Sequence, residues 1–156
     1  MWYEMLRLHG EIDPRFAPSE DARKRWDNDF NAWLERLSRR LYVAEVDGEV
    51  CGFVSAEQWA PPPIYSDGPG VYIVEIYVDS ARRGGGVGRA LVDAVREWAE
   101  SLGVHQLRAD VVAKNEEAVA FWREMGAELV SHSFSIPLES TARKEEVRRR
   151  SLGFQI

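Results

Sequence analysis

Glycines and arginines crowd one short stretch of this chain, Asp79-Ser80-Ala81-Arg82-Arg83-Gly84-Gly85-Gly86-Val87-Gly88-Arg89. An apolar run, Val71 to Val78, leads straight into it, and a segment of helical period follows. Glycines between a strand and a helix let the backbone approach a ligand and turn its N–H groups outward. The helix behind adds the positive end of its dipole. Together they form a seat for phosphate or pyrophosphate, and Arg82, Arg83 and Arg89 supply charge-assisted donors. Two dinucleotide and nucleotide signatures fail here. Gly86 and Gly88 are followed by Leu91 where G-x-G-x-x-G needs glycine, and Gly88 is followed by Arg89-Ala90 rather than Lys-Ser/Thr.

Carboxylates are the second kind of chemistry. Glu75 is the one charged residue of the run Val71 to Val78. A carboxylate inside a buried strand is costly unless paired or hydrogen-bonded. It is therefore a candidate base or amine anchor, or else a structural partner for an arginine or a backbone donor. Strict alternation puts it on the face opposite Val74 unless a bulge re-aims it. Asp110, five residues before Asn115, is the second candidate, with a strand-end hydrogen bond as its ordinary role. Glu57 and Tyr72 are weaker ones.

The elements that must hold these groups are legible from patterning. Trp2, Met5, Leu6 and His9 share a helical stripe, and so do Trp26, Phe30, Trp33 and Leu37. Leu41 to Val46 and Glu49 to Ala60 flank Asp47-Gly48, a strong hairpin signal. Val71 to Val78 reads as a buried central strand. Val87, Leu91, Ala94, Val95, Trp98 and Leu102 line a helix that Gly103 ends. His105 to Val112 reads as a strand, Asn115 to Gly126 as a capped helix, and Leu129 to Leu138 as a last strand or strand pair. Residues 139–156 form a polar, basic tail with Arg148-Arg149-Arg150. The order implies one α/β domain over residues 1–156: a mixed sheet with helices on its faces.

The bulk numbers suit that picture. At 156 residues the chain can bury one sizeable core. Its net charge of −6 gives no nucleic-acid footprint. No stretch is long and apolar enough for a membrane span, no signal pattern opens the sequence, and the three histidines lack metal-ligand spacing. The single cysteine, Cys51, forbids an internal disulfide and points to a reducing compartment, the cytoplasm, with the thiol buried.

Arg83-x-x-Gly86-x-Gly88 after a strand ending in Val78 resembles the acetyl-CoA pyrophosphate loop of the GNAT superfamily of N-acetyltransferases. Asn115-x-x-Ala118-x-x-Phe121-Trp122-x-x-x-Gly126 resembles that family's second motif. The resemblance spans about Leu41 to Leu138 and implies a mostly antiparallel sheet with two strands splayed apart, and a first strand that is absent here. It implies acetyl-CoA as cosubstrate. Main-chain groups of Ile76, Tyr77 and Val78 would pair with the pantetheine arm. The loop Arg83, Gly84, Gly85, Gly86, Val87, Gly88 and Arg89 would hold the pyrophosphate. Asn115 would contact the pantetheine or phosphate region, and Trp122 would line the site.

Departures from the family pattern matter too. Many members carry a tyrosine acid where Trp122 stands, and an indole is no useful acid, so water or another group must serve. In the polyamine-acetylating branch the glutamate lies at the position of Val74, next to Glu75. The branch acting on protein N-termini resembles this chain at Asp110, with glutamate there. The expected activity is direct transfer of acetyl to a primary amine, on a small molecule or a peptide, without an acyl-enzyme. A non-catalytic acyl-CoA-binding module is the alternative. Neither nucleic acid nor membrane is expected as partner, while an exposed sheet edge would favour a homodimer.

Overall fold

Asp47 and Gly48 take positive φ angles, 55° and 80°, the geometry of the tight turn that matches the twist of a hairpin. They join β1 (Arg39–Val46) to β2 (Glu49–Trp59), which pair antiparallel. β3 (Gly70–Val78) pairs antiparallel with β2, and β4 (Leu107–Ala109) parallel with β3. The sheet order is β1-β2-β3-β4. The computed structural model describes residues 1–136 and Leu138. The chain divides into two compact units, Met1–Gly126 and Ala127–Ile156; all described helices and strands belong to the first.

Helices α1 (Trp2–Ile12) and α2 (Ala22–Leu34) precede the sheet, while α3 (Val87–Ser101) and α4 (Glu116–Glu124) flank β4 in sequence. α3 buries Leu91, Val92, Val95, Trp98 and Ala99 against Val54, Ala56, Val71 and Ile73. The opposite face carries a smaller cluster, in which Met5 of α1 packs on Phe53 and Tyr77. Helices thus cover both faces of a mixed, mostly antiparallel sheet.

One irregularity in β3 decides which residues face which helix. Ser55 pairs with Glu75, but Ala56 pairs with Ile73, so Val74 is an extra residue on β3. Such a bulge flips the alternation. Val71 and Ile73, and beyond the bulge Ile76 and Val78, all pack with the α3 cluster. Tyr77 turns instead toward α1, and Glu75 does so as well, bonded to Trp2.

The fourth strand is shorter than its sequence pattern predicts. Only Leu107–Ala109 of the segment His105 to Val112 is strand, paired with Val71, Tyr72 and Ile73. Past Ile73 β4 no longer pairs with β3, so the two strands part; at the far end of that edge the Val78 carbonyl accepts from Arg83 Nε. The expected strand over Leu129 to Leu138 is not formed: residues 127–136 contain neither helix nor strand. Alternating side chains favour a strand only where a neighbour supplies a hydrogen-bond ladder, and no described strand does. No strand precedes α1 among the described residues. The tail expected over 139–156 lies outside them. Leu37, expected on the stripe of α2, lies beyond that helix and is exposed, while Trp26, Phe30 and Trp33 are half-buried rather than core.

Candidate functional site

The parting of β3 and β4 opens a cleft of about 500 Å³. Its floor is Ile76, Tyr77 and Val78, the stretch of β3 that β4 leaves unpaired. Met5, Leu8 and His9 of α1 form one wall, and Ala118, Phe121 and Trp122 of α4, with Met125 just past its end, the other. Arg83, Gly84, Gly86, Gly88, Arg89 and Asn115 stand at one end. The cleft therefore gathers most residues that the two sequence motifs single out; Gly85 and Val87 complete the loop by chain continuity.

The loop's conformation follows from its glycines. Gly84 and Gly86 adopt φ of 74° and 85°, where a side chain is strained, and a Cβ on either would meet open space. What faces them is room for a ligand. Gly86 is the N-cap of α3 without a side-chain cap. No described main-chain carbonyl takes the N–H groups of residues 84–89; the first bond beyond them is Ala90 N–H to Gly86 O at 3.0 Å. Outward-facing donors at the start of a fifteen-residue helix make an anion seat. Gly88 serves packing instead. A Cβ there would lie 3.1 Å from Cε2 of Phe121, so its bareness lets α4 close on the loop.

The arginines divide their roles. Arg83 donates through Nε to the Val78 carbonyl at 3.1 Å and through NH1 to Glu117 Oε2 at 2.8 Å. It ties the end of β3 to the first turn of α4. Arg82 reaches toward Asp47 at 3.8 Å. Arg89 lines the cleft and forms no ion pair among the described residues. Asn115 caps α4, its side-chain oxygen accepting from the Ala118 N–H at 3.1 Å.

Glu75 and Asp110 sit differently. Glu75 is held under α1: Trp2 Nε1 donates to its Oε1 at 2.8 Å and Ser55 Oγ to its Oε2 at 3.3 Å. Burial raises its pKa, against the two hydrogen bonds, which lower it. No arginine or lysine among the described residues pairs with it, so the expected alternative of an arginine partner is not what holds it. It does not line the cleft itself; its strand neighbours Ile76 and Tyr77 do. Asp110 is exposed just past the end of β4. It lies beside the Tyr72 hydroxyl, whose pKa is pushed up to about 12 by burial first and by Asp110 next. The two carboxylates are thus near the same strand but at opposite sides of the bulge.

The α1 wall escaped the sequence reading. His9 lies in the cleft, its pKa lowered by burial, and Met5 and Leu8 share its helical face. The i, i+3, i+4 spacing carried that signal, but nothing in it said which strand the face meets. Glu117 was likewise missed. Asp13, which the sequence offered only as a turn residue and a weak candidate for an amine-accepting entrance, is almost fully buried at 2% exposure. It accepts from Arg15 Nε at 3.0 Å, and Lys114 Nζ lies 3.3 Å away, joining the end of α1 to the segment before α4.

Comparison with known proteins agrees with this architecture. Residues 2–127 match the acetyltransferase (GNAT) family. The chain belongs to that family. Among its relatives is an uncharacterized N-acetyltransferase of Methanocaldococcus jannaschii, 30% identical over 127 residues, which cover 80% of this chain and 55% of the relative. The chain spans between 53% and 58% of the length of that protein and three bacterial relatives. Two solved structures share the fold. The BH1408 protein of Bacillus halodurans, as a point mutant, superposes with a TM-score of 0.75 at 21% identity, covering 88% of this chain and 89% of that one. An aminoglycoside N-acetyltransferase in complex with CoA gives 0.63 at 20% identity, covering 75% and 88%.

Proposed function

We propose that this protein transfers an acetyl group from acetyl-CoA to a primary amine, on a small molecule or a peptide, within a ternary complex. One observation carries the reading: the open edge of β3 and the glycine loop at the start of α3 lie in a single cleft. The pantetheine arm would pair with Ile76, Tyr77 and Val78 as an added strand. The pyrophosphate would rest on the N–H groups from Gly84 to Arg89, with Arg89, which forms no ion pair among the described residues, as its cation. The chemistry needs little more. An unpaired N–H of β3 would stabilise the oxyanion as the amine nitrogen attacks the thioester carbonyl. The C–S bond then breaks, and the thiolate takes its proton from water, since Trp122 offers no acid.

The amine must first lose a proton. Glu75, lifted by burial and placed on the α1 face beside the unpaired edge, is the base this reading favours. Asp110 with Tyr72 would anchor the incoming ammonium. The coenzyme A of the aminoglycoside N-acetyltransferase supports the cosubstrate, and the aminoglycosides of that enzyme's name are an amine-bearing acceptor class; both come to this chain as inference from family. Among the described residues no helix is long and apolar enough to cross a membrane.

The test is a screen of primary amines with acetyl-CoA, read as free CoA thiol. Turnover with some amine is expected, lowered in Glu75→Gln. Binding of acetyl-CoA without thiol release from any amine would leave a non-catalytic acyl-CoA module instead.

A further inference from the structure

We infer that Trp2 is a positioning residue for Glu75: its indole N–H fixes the carboxylate, and the stack of α1 on α2 fixes the indole. The inference rests on the reading of Glu75 as base. The geometry is specific. Trp2 Nε1 lies 2.8 Å from Glu75 Oε1, across 73 residues of sequence. The Trp2 ring stacks on Trp26 of α2 with centroids 4.3 Å apart and planes 14° apart, and Trp26 continues to Phe30 at 4.9 Å. An indole clamped on one face has little freedom to swing, so its N–H holds a direction. Ser55 Oγ takes the other carboxylate oxygen at 3.3 Å. Each oxygen of Glu75 thus has one donor, and no cation among the described residues is ion-paired with it.

A carboxylate on β3 could have been held by β2 alone, through Ser55. The second donor comes from a separate layer, the first turn of α1, whose face continues through Met5, Leu8 and His9 into the cleft. Any shift of α1 therefore moves both the cleft wall and the direction of Glu75. The charged and titratable groups around Glu75 are few. On β2, Glu57 is tied to Arg39 at 2.8 Å. On β3, Tyr72 and Tyr77 share its face, the latter beside Glu4 of α1. On α2, Arg25 and Asp29 line the groove beyond the Trp2–Trp26 stack. None of these contacts Glu75, so Trp2 and Ser55 set its hydrogen bonding.

Trp2→Phe keeps a stacking ring and removes the N–H; Ser55→Ala removes the other donor without disturbing α1. Hydrogen bonds to the ionised form favour it. Losing one should raise the pKa of Glu75 and move the acid limb of kcat/KM to higher pH, by about half to one unit, in each variant. A second readout needs no acceptor. In the wild type the Trp2 indole N–H resonance, assigned by its loss in Trp2→Phe, should titrate with Glu75 and stop titrating in Glu75→Gln. Folded Trp2→Phe and Ser55→Ala with unmoved acid limbs, or an indole resonance indifferent to Glu75→Gln, would overturn the inference. Full kcat/KM with the acid limb intact in Glu75→Gln would instead overturn the reading of Glu75 as base.

Discussion

Glu75 is a carboxylate with two hydrogen-bond donors and no ion-pair partner among the described residues, and that makes two of its properties pull apart. Its raised pKa means the ionised form is disfavoured in the folded state. The penalty is absent below the ordinary carboxylate range and full above the raised folded value. Glu75→Gln removes that charge and keeps the shape, with its amide donating to Ser55 and its carbonyl accepting from Trp2. The expected outcome is a Tm equal to or above that of the wild type at neutral pH, with the gap closing on acidification, while kcat/KM falls by roughly 10²–10⁴-fold, the usual worth of a general base. Melting curves at several pH values and steady-state rates check both halves. Asp110 acts on its neighbour. Asp110→Asn should let Tyr72 titrate below about 12 but still above 10.0, because burial is the larger cause of its shift; ultraviolet absorbance titration reads it. Arg83 is the third residue-scale case. It is bonded to Glu117 and Val78, so in the proposed complex a bound pyrophosphate would compete with Glu117 for it. Glu117→Gln should tighten CoA several-fold in calorimetry; weaker binding would mean that Glu117 serves to orient Arg83.

At the scale of elements, the fold hangs on close approaches that only glycine permits. A Cβ on Gly52 would lie 2.9 Å from the Tyr77 carbonyl oxygen and 3.3 Å from Leu91 Cδ1. Neither the ladder between β2 and β3 nor the α3 core can yield there easily. Gly52→Ala should cost about 1–3 kcal/mol, as overpacking does, seen as a lower urea midpoint with unchanged slope. Much of this architecture was legible in the sequence. The Asp47-Gly48 turn, the glycine loop, the Asn115 cap and the apolar stripe of α3 are local patterns, and local physics determines them. The bulge at Val74 is not local. It exists because Ser55 and Ala56 meet Glu75 and Ile73 across the ladder, and alternation along β3 alone gives the wrong face for Glu75. The strand read over Leu129 to Leu138 failed for the complementary reason: its alternation is real, but no described strand pairs with it. The contact of Trp2 with Glu75 joins residues 73 apart, beyond any pattern in either segment.

At the scale of the Met1–Gly126 unit, one charged contact ties the cleft's two walls together. Asp13 ends α1, and Lys114 precedes α4. The hydrogen bonds from Arg15 hold the Asp13 carboxyl well below the usual carboxylate range, with Lys114 adding to them. A depressed pKa contributes stability above the ordinary carboxylate value and loses it as pH falls through the folded one. Asp13→Asn should therefore lower Tm at neutral pH and flatten its fall on acidification, and melting curves from pH 7 downward would show it. The same unit offers β1 as an edge strand with Val43 57% exposed, and we propose this edge as the place where a homodimer would pair.

The proposed activity depends first on the cleft holding acetyl-CoA by its glycine loop. The direct measurement is thermal unfolding with acetyl-CoA, with NAD as a control, for the wild type and for Gly86→Glu. The variant puts a side chain where φ is 85° and a negative charge into the anion seat. Acetyl-CoA should stabilise the wild type, by about 2.7 kcal/mol at a hundred times its Kd. NAD should have no effect, and the folded variant should lose the acetyl-CoA response. A wild type indifferent to acetyl-CoA, or a variant that responds just as strongly, would contradict the loop's role as the coenzyme's seat.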